Sequence, residues 1–182
     1  MKRNTHDDKE LARASAQLID GTEGRIECLE FADIHQIGIC FSWWDGNRMM
    51  PRPLDGTDAE FSLLFKNALT KKVFSESFLT ALREMLPNAK RYGGTTPPKL
   101  RDTDYATELE RVSINLSDGS EARLERLRFK QNVYAGKEGI RFSWWADNRF
   151  QIKPLGITEK ELLLLLGKAL QRGIFSDSFI VG

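Results

Sequence analysis

Phe41-Ser42-Trp43-Trp44-Asp45-Gly46-Asn47-Arg48 returns 101 residues later as Phe142-Ser143-Trp144-Trp145-Ala146-Asp147-Asn148-Arg149. The match continues without a gap from Phe41 to Leu79 and from Phe142 to Ile180, with 18 of 39 positions identical. Upstream the offset becomes 98, and Leu18, Asp20, Gly21, Glu23, Arg25, Glu27, Leu29 and Phe31 match Leu116, Asp118, Gly119, Glu121, Arg123, Glu125, Leu127 and Phe129. The change of offset gives the second segment three extra residues, which predicts a surface loop over Lys130 to Glu138. Two related segments are too few for a solenoid, so the pattern reads as a tandem duplication.

Within each segment the side chains alternate. Val112-Ser113-Ile114-Asn115-Leu116 is apolar at every second position, and Asp118-Gly119 follows it, as Asp20-Gly21 does in the first segment. Asp-Gly between alternating runs predicts a hairpin, because the turn needs a residue at positive φ. A second hairpin is expected where Ile140-Arg141-Phe142-Ser143-Trp144-Trp145 turns at Ala146-Asp147-Asn148 into Arg149-Phe150-Gln151-Ile152-Lys153. Pro53 and Pro154 are expected to end that strand, because proline cannot donate to a ladder. Thr57-Asp58-Ala59-Glu60 and Thr158-Glu159-Lys160-Glu161 then have capping-box spacing. Phe61, Leu64, Phe65, Ala68 and Leu69 share one helical face, as do Leu162, Leu165, Leu166, Ala169 and Leu170. Gly173 is placed to end the second helix, and Ser75-Glu76-Ser77-Phe78 to start a further helix running to Met85.

The expected fold is therefore α+β: a tandem duplication of a four-stranded antiparallel sheet plus helix, with the two copies packed as a pseudo-twofold pair. Residues 1–85 make the first copy with its extra C-terminal helix, 86–107 a Pro/Gly linker, and 108–182 the second copy, which reaches Gly182 before an equivalent of the extra helix. A unit of about 70 residues is marginal alone, and mutual packing remedies that. Leu11 to Thr80 holds 7 basic and 10 acidic residues, a charge of −3; Leu109 to Gly182 holds 12 basic and 9 acidic, a charge of +3. Opposite charge on related halves suits such a pair.

Composition narrows the function. The chain has 182 residues, 27 Lys and Arg against 26 Asp and Glu, two His and two Cys, and 41% hydrophobic residues, which is ordinary globular composition. Its longest apolar run, Leu162 to Leu166, is far below the ~18 residues of a membrane span. Residues 1–8 carry no apolar stretch after their basic pair, so no signal peptide is expected, and a cytoplasmic location with reduced thiols follows as an expectation. Cys28 and Cys40 are replaced by Arg126 and Arg141 in the other segment and match no metal box. With His6 and His35 the only imidazoles, and no phosphate loop or nucleophile elbow, the sequence points to no enzyme, metal or cofactor. Glu27 and Glu125 recur and read as outward residues of a strand.

The repeated aromatic-basic hairpin carries the functional expectation. With a two-residue turn, Trp144 is set opposite Arg149, Phe142 opposite Gln151 and Ile140 opposite Lys153, all on one face. Trp43, Phe41, Arg48, Met50 and Arg52 share that face in the first segment. Trp145, Ser143, Phe150 and Ile152 take the other. Both sheet faces thus bear large apolar groups, and one helix covers only one. The remaining face meets the sister copy, a second chain or a ligand, and rings beside Arg and Lys suit stacked bases and phosphates.

A duplicated four-strand-plus-helix unit with such a hairpin resembles the PUR-repeat and whirly-type single-stranded nucleic-acid-binding proteins. The resemblance lies in element order and duplication. It implies a paired sheet platform gripping single strands, with Trp43, Arg48, Arg52, Phe142, Trp144, Arg149 and Lys153 as the binding residues. The alternative expectation is a protein-interaction or assembly module, with a protein partner or homodimer engaging the same apolar face or the strand edges. A concave pocket with convergent polar groups would point instead to a ligand-binding or catalytic role.

Overall fold

The computed structural model describes residues 8–86 and 99–175. The chain runs β1 (Lys9–Gln17), β2 (Glu23–Phe31), β3 (Gln36–Asp45), β4 (Arg48–Met49), β5 (Leu54–Thr57), α1 (Asp58–Thr70) and α2 (Glu76–Met85). It continues with β6 (Ala106–Asn115), β7 (Glu121–Phe129), β8 (Glu138–Ala146), β9 (Arg149–Phe150), β10 (Leu155–Thr158) and α3 (Glu159–Arg172). The fold is α+β, with two open antiparallel sheets and three helices among the described residues. Each half repeats the same order of five strands and a helix. The linker expectation over 86–107 is overrun at its end by β6, which begins at Ala106, and 87–98 lie outside the described residues, as do 176–182.

The turns follow their residues. Gly21 and Gly119 take φ of +87° and +83° between β1 and β2 and between β6 and β7, and the Oδ1 atoms of Asp20 and Asp118 accept from the backbone N–H of Thr22 (3.0 Å) and Ser120 (2.9 Å). Asp147 and Asn148 both have positive φ, the type I′ turn that suits a right-twisted hairpin. Thr57 and Thr158 cap α1 and α3 with full capping boxes, and Gly173 ends α3 in the left-handed conformation. The extra segment from Lys130 forms a short 3-10 turn, Asn132–Tyr134, leading into β8.

The strand count and the partners differ from expectation. Pro53 and Pro154 lie beyond the short strands β4 and β9. Each is followed by a fifth strand, and that strand pairs in the other half's sheet. The order is β1-β2-β3-β10 with β4 on β3, and β6-β7-β8-β5 with β9 on β8. β5 lies against β8 and β10 against β3, so the halves interlock. The exchange needs close backbone approach at Gly139, where an added Cβ would stand 1.9 Å from the Gly56 carbonyl oxygen. Gly38, 101 residues earlier, is equally enclosed by Phe31 and the Ile157 carbonyl.

One core joins the inner faces of both sheets. Ala14 and Ala16 of β1, Leu18 just after it, Ile26, Ile39, Phe41 and Trp43, and their counterparts Val112, Ile114, Leu124, Ile140 and Phe142 pack with Phe61 and Leu64 of α1 and Leu162 and Leu165 of α3. α1 lies across β1 and α3 across β6. α2 packs on α3, where Glu159 accepts from the Ser75 backbone N–H (2.7 Å) and hydroxyl (2.5 Å). No described helix is long and apolar enough to cross a membrane.

Candidate functional site: a cleft on the outward face of the second sheet

The hairpin register is displaced by two residues from the expected one. Arg149 pairs with Ala146 and Phe150 with Trp145, and the Gln151 N–H donates to the Trp144 carbonyl (2.9 Å), so Gln151 rather than Arg149 faces Trp144. A shift of two leaves the faces unchanged. The face holding Phe41, Trp43 and Phe142 is the core face: Trp43 is 1% exposed and Phe142 0%. Those two rings are therefore enclosed in the folded chain. Trp144 is half-buried, with its indole N–H buried and without a hydrogen-bond partner. Arg48 and Arg149 are exposed beside the hairpin turns. The Arg52 guanidinium lies over the Trp43 ring, 3.1 Å from its centroid. Lys153 is half-buried beside Trp144, Cys40 and Gly156 in a small cavity of about 30 Å³.

The outward faces carry a polar network repeated in both sheets. The Trp44 indole N–H donates to Ser42 Oγ (2.8 Å), which donates to Glu27 (2.6 Å). In the second sheet Trp145 donates to Ser143 (2.9 Å) and Ser143 to Glu125 (2.8 Å). Arg25 lies over Trp44 and Arg123 over Trp145, each also bonded to a glutamate two residues before it, Glu23 and Glu121. Glu27 and Glu125 do point outward, as expected for strand residues, yet they are buried, at 5% and 0% exposure. Their settings differ because Cys40 stands where the second sheet has Arg141. Arg141 grips Glu125 through two bonds, Nε at 2.7 Å and Nη2 at 3.0 Å. Burial works against the Arg141 charge, but Glu125 holds it protonated above its ordinary range. Glu27 lacks such a partner, and burial pushes its carboxyl up.

Beside this network the second sheet opens into a cleft of about 320 Å³. Its charged lining is Arg52, Asp55, Arg101, Glu108 and Arg141, with Tyr105 and Thr103 beside them; Pro53, Leu127 and Phe150 are among its apolar walls. Strand exchange assembles it. Asp55 sits on β5, opposite Arg141 of β8, while Glu108 comes from β6. Tyr105 donates its hydroxyl to Asp55 Oδ2 (2.8 Å) and packs edge-on against Phe129. Asp55 is 5% exposed, and burial pushes its carboxyl up to about 6 against the lowering pull of Tyr105 and Arg141. Burial and the Asp55 charge in turn raise the Tyr105 phenol, which stays a proton donor. Glu108 accepts the Arg101 backbone N–H (3.0 Å), and burial together with the charge of Glu125 pushes it up. Phe150 stands edge-on to Trp145 at 5.4 Å, and Arg101 lies over that indole at 4.7 Å.

Of the residues expected from sequence, the cleft takes Arg52 alone. Asp55, Arg101, Tyr105 and Glu108 escape sequence reading: the first sits after a proline expected to end its strand, with no fifth strand expected beyond it, and Arg101 and Tyr105 lie in the stretch read as linker. At the matching place on the first sheet Gly156, Cys40 and Lys153 occupy the positions of Asp55, Arg141 and Arg52, around the cavity of about 30 Å³. Both cysteines are free thiols, and no group of three His, Cys, Asp or Glu able to hold a metal occurs among the described residues. Compared with protein-family models, with curated proteins and with solved structures, the chain matches none.

Proposed function

We propose that the chain is an internally duplicated, non-enzymatic binding protein that holds single-stranded DNA or RNA on the outward face of its second sheet. The carrying observation is the cleft itself, where the Tyr105 and Phe150 rings stand beside the Arg52, Arg101 and Arg141 guanidinium groups at the solvent boundary. Rings and guanidinium groups together suit a base and its neighbouring phosphates, with stacking contributing about 1–3 kcal/mol per base. Arg149, exposed next to Phe150, extends the cationic rim, and Arg48 supplies the matching group on the first sheet. In this reading Trp43 and Phe142 hold the hairpins from inside, while Lys153 and Trp144 belong to the weaker first-sheet counterpart. The shared element order, strand exchange and opposite charge of the halves support the pseudo-twofold pairing and the likeness to PUR-repeat and whirly-type proteins.

The test is titration of fluorescently labelled oligonucleotides into the full chain at 50 mM and 200 mM salt. Binding is expected to weaken with salt through counterion release and to fall in Phe150→Ala and Arg101→Ala. No binding at the lower salt, or binding indifferent to salt, overturns the proposal. A second reading rests on the sheet order: β1 and β6 each end a sheet, so a partner strand or a second copy of the chain can add there. Light scattering tests it, with a monomer at all concentrations counting against self-association.

A further inference from the structure

Four buried side-chain polar atoms lack a hydrogen-bond partner among the described residues, and three of them, Arg52 Nε, Asp55 Oδ1 and Glu108 Oε1, belong to residues lining this one cleft. Glu108 Oε1 stands 3.4 Å from Arg111 Nε, an ion pair without hydrogen-bond geometry. Buried polar atoms are rarely left unmatched, and here one donor and two acceptors belong to the lining of a single cleft. They ask of an occupant at least two N–H or O–H donors and one acceptor.

Charge and shape narrow the occupant. The lining arginines Arg52, Arg101 and Arg141 are balanced by Asp55, Glu108 and the Glu125 that holds Arg141, so the cleft favours a neutral ligand over an ion. The volume lies at the small end of ligand pockets, enough for one base with its sugar. The Tyr105 and Phe150 rings and Pro53 supply flat apolar walls.

We propose that the cleft takes one unstacked base bearing an exocyclic amino group, which donates to Asp55 and Glu108 while a ring or carbonyl acceptor meets Arg52. The inference rests on the nucleic-acid reading above and adds base selection to it. A carboxylate accepts from the N4 amine of cytosine, whereas uracil and thymine present a carbonyl oxygen at that position and meet the carboxylate with repulsion. Reading an extruded base by its polar edge between flat walls is a recurrent solution in nucleic-acid recognition.

Cytidine and uridine differ only in the C4 substituent and the proton that goes with it on N3, so calorimetric titration of the unaltered chain with each is the direct test, with oligo(dC), oligo(dA) and oligo(dT) as the strand arm. Cytidine is expected to bind roughly tenfold more tightly than uridine, and oligo(dC) and oligo(dA) more tightly than oligo(dT). Asp55→Asn, whose amide donates where the carboxylate only accepts, is expected to bring the cytidine-to-uridine ratio near one, and Glu108→Gln serves should that variant fold poorly. Equal affinity for all strands with no nucleoside preference overturns base selection and leaves the strand reading standing. Failure of every oligonucleotide to bind overturns the strand reading, and the cytidine–uridine pair then decides the cleft alone: a preference upholds it, and none overturns it.

Discussion

The rings of Phe41 and Phe142 lie parallel, 4.0 Å between centroids and 4° between planes, both fully buried at the meeting of the two sheets. They are the same position of the repeated motif, one from each half. Phe61 and Phe65 of α1 pack around them, with Phe142 5.6 Å from Phe61 and 6.4 Å from Phe65. Removing one ring takes away its transfer energy and leaves a cavity that the interlocked strands cannot collapse. Phe41→Ala is expected to lower stability by about 3–5 kcal/mol in urea unfolding. Far-ultraviolet dichroism and tryptophan emission are expected to report one shared transition, because each sheet contains a strand of the other half. A loss below about 1 kcal/mol, or two separate transitions, contradicts the shared core.

Gly139 controls the strand exchange itself. It faces Thr57 across the β5–β8 ladder, and its missing side chain makes room for the Gly56 carbonyl. Gly139→Ala is expected to cost at least about 2 kcal/mol, since the obstacle is backbone and cannot rotate away. Alanine at Gly46, a turn position with open space around it, is the contrasting control, where the remaining penalty is that of φ +58°. Thermal melts of the two variants settle the ranking.

Much of the local structure was legible because short-range chemistry sets it. Asp20-Gly21 and Asp118-Gly119 require positive φ, Thr57 and Thr158 cap with the glutamate three residues on, and Ser75 starts α2 by accepting from the Phe78 N–H. The hairpin faces were legible for the same reason, since alternation survives a register slip of two. Partner choice was not. Nothing in Leu54-Asp55-Gly56-Thr57 says that it pairs with β8 instead of its own β3, because that preference comes from packing 82 to 88 residues away. The cleft depends on that pairing, so Asp55 and Arg141 meet only once the halves are interlocked. Glu27 and Glu125 did leave a trace: a glutamate, a serine and a tryptophan recur at matched positions in both segments, which is more than a solvated strand face requires.

Those matched glutamates make opposite predictions. Glu125→Gln strips the buried Arg141 guanidinium of its counter-charge, and an orphaned partner of a buried ion pair costs about 3–5 kcal/mol. On β3 Glu27 faces Cys40 where Glu125 faces Arg141, so its carboxyl accepts from the Ser42 hydroxyl, and burial already favours its protonated form. Glu27→Gln keeps that acceptor, so its expected cost is under about 1 kcal/mol. Chemical denaturation of the two single variants at pH 7 gives the comparison, and equal losses mean that Arg141 draws its charge balance from elsewhere in the cleft.

Asp55 predicts a pH dependence of definite sign. Its carboxyl holds a proton up to about pH 6 in the folded chain, against an ordinary value of 3.8, chiefly because it is buried. Between these values the native state binds more protons than the unfolded state, so the stability due to this group falls as pH rises and is lost once pH passes about 6. The full effect is about 3 kcal/mol, two pH units at 1.36 kcal/mol each. Asp55→Asn keeps an acceptor for the Tyr105 hydroxyl but has no charge to bury. Its stability relative to the unaltered chain is therefore expected to climb from pH 4 to pH 7 by up to about 3 kcal/mol and then to level off. The difference between the two chains cancels the other shifted carboxylates, Glu27 and Glu108 raised and Asp102, Glu121 and Glu138 lowered. Urea titrations of both chains at half-unit pH steps measure it, and a flat difference across that window means that the Asp55 carboxyl is hydrated and the cleft floor open to water.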